Sequence, residues 1–329
     1  MKRKSFLASF TSLIVVLFLV SSFSVGAAIT DEAKNLRFVG ASPGGTFFVV
    51  LGGISAVVSK SIPKWVTTVE PGTAMSDIVR VAKGDGDMGL SQNNVVLDEI
   101  KKGGEYSEKI ATLGAIATSG VQFIVLKSTG LTTFDEFIEQ KPKLKISWGA
   151  PANSHYIAAT RLFAEYGLVL DDFDKWGGRS SHKEMGEATD MVAAGALDGY
   201  LLCALTPTVP TTELSFNHEL TLLTVRDDII DKLVEKYNYI KVTLPAGTYN
   251  FIDKPTNIFA AKTIMVVSMD MQEEVAYNIV KSILNNLDYF KNLHAILKNI
   301  NLDYMVETGG VPLHPGAVRA YQEFGANIK

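Results

Sequence analysis

Leu36-Arg37-Phe38-Val39-Gly40-Ala41-Ser42-Pro43-Gly44-Gly45-Thr46-Phe47 is the stretch on which the reading of this chain turns. A short apolar run with the composition of a strand breaks at a glycine pair. It gives way to Phe47, Val50, Leu51, Ile54, Val57 and Val58 at helical spacing. Glycine lets the backbone approach a ligand closely, and the first amides of a helix lack intrahelical acceptors and carry the positive end of its dipole. Such a strand-turn-helix junction is suited to an anion, and a carboxylate is the first ligand class to consider. A plain tight turn would use the same glycines. Gly40-Ala41-Ser42-Pro43-Gly44 also fits the Gly-x-Ser-x-Gly nucleophile elbow, with Ser42 as nucleophile. That elbow normally follows several strands, whereas this one sits on the first.

Working outward, strand and helix patterns alternate. Residues 65–69 read as a second strand and 74–83 as a helix with Met75, Ile78, Val79 and Ala82 on one face; 88–90 and 110–117 read as further strands. The order predicts an α/β fold built on a largely parallel sheet with helices on both faces. The run at 121–126 is a first crossover into a second α/β series, with strands at 144–148, 196–202 and 220–225. Helices are predicted over 157–166, 183–194 and 227–236. A strand at 258–267 returns the chain to the first lobe, and 273–299 is helical, with Val275, Ile279, Ile283, Leu287 and Phe290 on its buried face. Two lobes are therefore expected, residues 28–122 with 260–329 and residues 123–259, joined by two crossing strands. Ligands of open α/β sheets sit outside the carboxyl ends of strands, which places the site in the cleft between the lobes.

The loops that reach that cleft supply the candidate site. Gly44, Gly45 and Thr46 offer amides and a hydroxyl, and Phe47 a wall. Glu70-Pro71-Gly72-Thr73-Ala74 ends the second strand, with Thr73 placed to cap the next helix and Ala74 opening it. Gln92, in Ser91-Gln92-Asn93-Asn94, both donates and accepts hydrogen bonds. In the second lobe Trp148 provides another wall. The helix start Asn153-Ser154-His155 offers amides, a hydroxyl and either a cation or a neutral donor, and Thr206 closes a later strand. Surface solvation and helix capping alone would also account for most of these residues.

Composition narrows the function further. Lys2-Arg3-Lys4, an apolar run over 6–20 and small residues over 21–28 have the form of a cleaved export signal, residues 1–27, which places the mature chain in the periplasm. An uncleaved anchor would need a longer apolar stretch. With one cysteine, Cys203, there is no intramolecular disulfide and no cysteine-based zinc site, so an apolar core must hold the fold. The 47% hydrophobic and 20% charged composition allows one easily. The net charge of −4 becomes −7 once Lys2, Arg3 and Lys4 are removed, which disfavours nucleic acid as a partner. An anionic ligand must then be held by local dipoles and one or two placed cations. No metal or cofactor is expected: Asp85-Gly86-Asp87 lacks the rest of a calcium loop, His155, His182, His218, His294 and His314 are widely separated, and no Walker motif occurs.

Taken in order, these segments resemble the solute-binding proteins of TRAP transporters, specifically the TAXI family, over essentially the whole mature chain. Gly44-Gly45-Thr46-Phe47 resembles that family's Gly-Gly-Thr-Tyr loop, and Ala82-Lys83-Gly84-Asp85-Gly86-Asp87 followed by Gln92 its Gly-x-x-Asp lead-in. Ala194-Gly195-Ala196-Leu197-Asp198-Gly199, Leu244-Pro245-Ala246-Gly247-Thr248-Tyr249 and Leu313-His314-Pro315-Gly316-Ala317 resemble further family stretches. The chain departs from the pattern at Thr73, where serine is usual, at Asp77, where asparagine is common, and at Ala152-Asn153-Ser154-His155, which replaces a Ser-Gly-Thr helix start. The resemblance implies a two-lobed, type II-like periplasmic binding protein fold and a non-enzymatic receptor, and a monomer is expected. It also implies a small organic anion as ligand, glutamate- or 2-oxoglutarate-like, and the large and small TRAP membrane subunits as partners. A receptor reporting to a signalling kinase, or a serine hydrolase using Ser42, are the alternatives.

Overall fold

The computed structural model describes residues 32–40, 46–151, 153–294 and 297–328; the expected signal, Ser42, Gly44 and Gly45 lie outside them, as does the Thr46 side chain. The first half of the chain alternates β1 (Lys34–Val39), α1 (Thr46–Ser61), β2 (Trp65–Glu70), α2 (Ala74–Lys83), β3 (Met88–Gln92), α3 (Asn93–Lys101) and β4 (Ile110–Leu126). Next come α4 (Phe134–Gln140), β5 (Lys145–Ser147), α5 (Ser154–Glu165), α6 (Asp172–Lys175), β6 (Arg179–Ser181), α7 (Met185–Ala193), β7 (Gly199–Leu205) and α8 (Val209–Asn217). The chain continues through β8 (Leu220–Leu222), α9 (Asp227–Tyr237), β9 (Ile240–Leu244) and β10 (Thr256–Ser268). It ends with α10 (Glu273–Leu284), α11 (Leu287–Leu293), α12 (Leu302–Val306) and α13 (Pro315–Glu323). Among the described residues no helix is long and apolar enough to cross a membrane.

The strands form one mixed sheet in the order β2-β1-β3-β10-β4-β7-β5-β6, with β8 on β4 and β9 on β10. β1 pairs with β2 and β3 in parallel, and β5 with β6 and β7 likewise, as short strand-helix-strand units require. The two long strands are antiparallel to their neighbours, which corrects the expectation of a largely parallel sheet. The runs at 110–117 and 121–126, expected as separate strands, are one: β4 continues through Ser119-Gly120. It pairs with β10 as far as Gly120 opposite Ala260, and from Ser119 onward it pairs with β7. β10 likewise changes partner, lying against β3 and β4 beyond Ala260 and against β9 before it. Each strand thus begins in one part of the sheet and ends in the other. The helix expected over 273–299 breaks at Asn285-Asn286, where α10 ends and α11 begins.

The apolar core divides along the same line. Two clusters, one on each face of the sheet, draw on residues up to Ala117 and from Ile264 onward, with Leu205 joining from β7. Two others draw on residues 121–261. Strand alternation assigns the faces: Leu36 and Phe38 of β1 point to the cluster containing α1 and α10, and Val39 to the one containing α2 and α3.

Candidate functional site

A cavity of about 400 Å³ opens where the two parts of the sheet meet, and its walls are helix starts. Phe47 from the first turn of α1, with Thr73 and Ala74 from the start of α2, line one side. Asn153, Ser154 and His155 at the start of α5, Glu184 to Glu187 at the start of α7, and Thr208 and Pro210 at the start of α8 line the other. Among the described residues five helices present their N-termini to one space.

Local sequence explains three of these ends. Thr73 accepts from the Ser76 amide at 3.2 Å while Ser76 Oγ accepts from the Thr73 amide at 2.8 Å, a reciprocal capping box. Asn153 Oδ1 accepts from the Tyr156 amide at 3.0 Å, and Thr208 Oγ1 accepts from the Thr211 amide at 3.3 Å. In each case the cap satisfies the third amide of its helix. The first two amides of each helix have no intrahelical acceptor, apart from the one Pro210 lacks.

The charges on the walls are acidic. Asp77, Glu184 and Glu187 line the cavity, and among the described residues no lysine or arginine lines it, so the cations expected beside an anion are not found there. Glu184 accepts from Asn153 Nδ2 at 3.0 and 3.2 Å, and Glu187 pairs with Lys183 at 2.7 Å. Burial pushes the Asp77 carboxyl up from 3.8 to about 7, against weaker lowering by the Ser76 hydroxyl, Arg80 and the Thr73 backbone. Gly72 makes this burial feasible, because a Cβ there would collide with the Asp77 carboxylate.

His155 is a neutral donor. Its Nδ1 accepts from the Cys203 amide at 3.2 Å, which leaves the proton on Nε2, and burial lowers its pKa to about 4. With Nδ1 engaged and Nε2 protonated, the ring is in no state to take a proton from Ser154. Burial also pushes the Cys203 thiol up to about 12, so it remains protonated.

Of the residues singled out from sequence, Phe47, Thr73, Ala74, Gln92, Asn153, Ser154 and His155 come together on this cavity. Trp148 does not. Its fully buried ring lies 5.2 to 5.5 Å from those of Phe173, Phe123 and Phe163, and Nε1 donates to Ser180. It belongs to the core under β5. Thr206 is also absent from the lining: its hydroxyl donates to the Ala204 carbonyl and accepts from Gln122 Nε2. Thr46 is the first residue of α1. Sequence reasoning missed Glu184, Glu187 and Thr208 and did not place Asp77 in the site; the Thr-x-Pro step at 208–210 was an available helix-start signal.

Comparison with solved structures shows the same α/β architecture in a protein from Bordetella bronchiseptica RB50, with 14% identity and a TM-score of 0.52. The alignment covers 89% of this chain and 82% of that one. The alkanesulfonate-binding protein SsuA from Xanthomonas axonopodis pv. citri, bound to MOPS, gives 12% identity and a TM-score of 0.49, covering 88% of this chain and 84% of that one. A putative L-cystine ABC transporter from Listeria monocytogenes gives 9% and 0.47, covering 81% and 97%. The family match spans residues 38–325, nearly all of the described chain, and this protein belongs to the NMT1-like family.

Proposed function

We propose that this protein is an exported, non-enzymatic receptor that captures a small organic acid and delivers it to the large and small membrane subunits of a TRAP transporter. In this reading residues 1–27 are removed, and the mature periplasmic chain acts as a monomer. It folds as two lobes, 28–122 with 260–329 and 123–259, that close about β4 and β10. The observation that carries it is the convergence of helix N-termini from both sides on one cavity, an arrangement in which amide dipoles can hold an acid. Ser154 and His155 are the donors assigned to the carboxylate, Thr73 and Ala74 line the facing wall, and Phe47 covers the ligand. The fixed neutral state of His155 supports binding over turnover, since the ring donates and does not abstract a proton. A ligand that prefers the closed arrangement shifts the population toward it, and the membrane subunits then read the closed surface.

Mass spectrometry of the small molecule that copurifies with the native protein, followed by calorimetry with the acid identified, tests the proposal. Binding without chemical change of the acid supports it. Turnover of the bound molecule, or silence toward every organic acid in a screen, overturns it.

A further inference from the structure

Among the described residues, two acceptors on the cavity wall are without partners. Asp77 is fully buried and Gln92 is 4% exposed; both line the cavity, yet no described residue donates a hydrogen bond to Asp77 Oδ2 or Gln92 Oε1. Buried acceptors left this way are unfavourable, more so when charged, so a ligand carrying donors to them gains selectivity over one without. The chain's own cation near Asp77 is committed elsewhere. Arg80 is ion-paired with Glu70 and also donates to the Pro71 carbonyl at 3.3 Å. A carboxylate brought to this corner would face acceptors, whereas an ammonium group has three donors for them.

We propose that Asp77 and Gln92 form a subsite for a protonated nitrogen, so that the receptor selects an organic acid that also carries an amine. This rests on the receptor reading above and deepens it. The amine sits against β3 and the first turn of α2. The carboxylate points across the cavity to His155 and the starts of α5 and α8. Asp77 determines specificity here by touching the ligand, and the helix starts of the far wall hold the opposite pole.

The subsite makes affinity fall with acidity, because the ammonium pairs with the ionised carboxylate. The elements packed on α2 are β3 and β4, which carry no titratable side chain, together with β10 and α3. On these, Lys262 is paired with Glu307, Asp98 with Arg161, and Glu99 with Lys102; Lys101 completes the set. The far wall contributes His155, neutral down to about 4, with Glu184 and Glu187. Asp77 is therefore the group that titrates near neutrality, and between about pH 8 and about pH 5.5 the competent fraction falls roughly thirtyfold, with affinity following.

Calorimetry with matched pairs of acids, glutamate with glutarate and leucine with 4-methylpentanoate, tests the subsite in wild type and Asp77→Asn. The wild type is expected to bind the amine-bearing member at least about tenfold more tightly at about pH 8 and to lose roughly thirtyfold at about pH 5.5. Asp77→Asn is expected to bring the paired affinities together and to remove the pH dependence. As a readout that needs no variant, the carboxyl carbon resonance of Asp77 in wild type should titrate near neutrality without ligand and well below it with the amine-bearing acid. If the deaminated acid binds as well or better and tightens toward low pH, a protonated Asp77 is donating to a carboxylate, and the subsite is refuted while the receptor stands. If neither member of any pair binds at either pH and the wider screen of organic acids is silent as well, the receptor reading falls, and the subsite falls with it.

Discussion

Asp77→Asn should stabilise the ligand-free protein at alkaline pH and leave it nearly unchanged in acid. The unfolded chain ionises Asp77 near its ordinary value of 3.8, whereas the folded protein holds the proton to about 7 because the carboxyl is buried. Between these values the folded state binds more protons than the unfolded one, so the contribution of Asp77 to stability falls as pH rises through about 4 to 7. A displacement of about 3 pKa units at 1.36 kcal/mol each sets the ceiling at about 4 kcal/mol, fully expressed at about pH 8 and absent at about pH 4. His155 acts in the opposite direction. Its pKa is lowered by burial, so its contribution is lost as pH falls from about 6.5 to about 4, and the wild-type profile contains both effects. Subtracting wild type from variant cancels His155 and leaves Asp77. Urea unfolding of both proteins at about pH 8 and about pH 5 measures the difference. A variant less stable than wild type at about pH 8, or a difference that does not change with pH, would refute the assignment of a buried, high-pKa carboxyl.

Trp148→Ala should cost about 3 to 5 kcal/mol in urea unfolding, because the ring fills an aromatic core, while calorimetry of the folded variant shows acid affinity close to wild type. Asn153→Ala should lower stability by about 1 kcal/mol through loss of the α5 cap, and should weaken acid binding measurably by freeing Glu184 to approach the cavity. Asp98→Asn should cost about 1 to 3 kcal/mol by chemical denaturation, since it leaves the Arg161 guanidinium, 8% exposed and stacked over Tyr237 and Tyr239, without its carboxylate.

Elements whose ends are set by local chemistry were the legible ones. The helix predicted over 74–83 keeps both boundaries because Thr73 caps it and Gly84, at φ +78°, ends it in the left-handed region. The crossing strands were harder. Ser119-Gly120 has the composition of a break, yet Ser119 Oγ shares a hydrogen bond with Thr263 across β10, and the strand runs on. Trp148 misled because it precedes Gly149, and a residue beside a glycine turn looks like part of the loop. Ile146 and Trp148 are two residues apart at the end of β5, so they share the face that packs on Phe123 and Phe163. No pattern within a single strand reveals which face the rest of the chain will cover.

Asp77 illustrates a different limit. An acidic residue in the first turn of a helix is expected to face solvent and complement the dipole, and in sequence it is indistinguishable from any other. Its burial comes from tertiary contacts, where the lack of a Cβ at Gly72, Gly40 and Gly89 leaves room for the Asp77 side chain. That placement changes the electrostatic logic of the whole cavity. If helix dipoles were the only design, acidic side chains on the walls would oppose the ligand, and selection for an anion would favour a lysine or arginine in their place. With Asp77 at one pole and, at the other, the starts of α5 and α8 beside a Glu184 held by Asn153 and a Glu187 paired with Lys183, the same walls become complementary to a molecule carrying both charges. In the proposed subsite Asp77 then imposes direction on the ligand, since reversing it would set its acid against Asp77 and its amine against the N-terminus of α5.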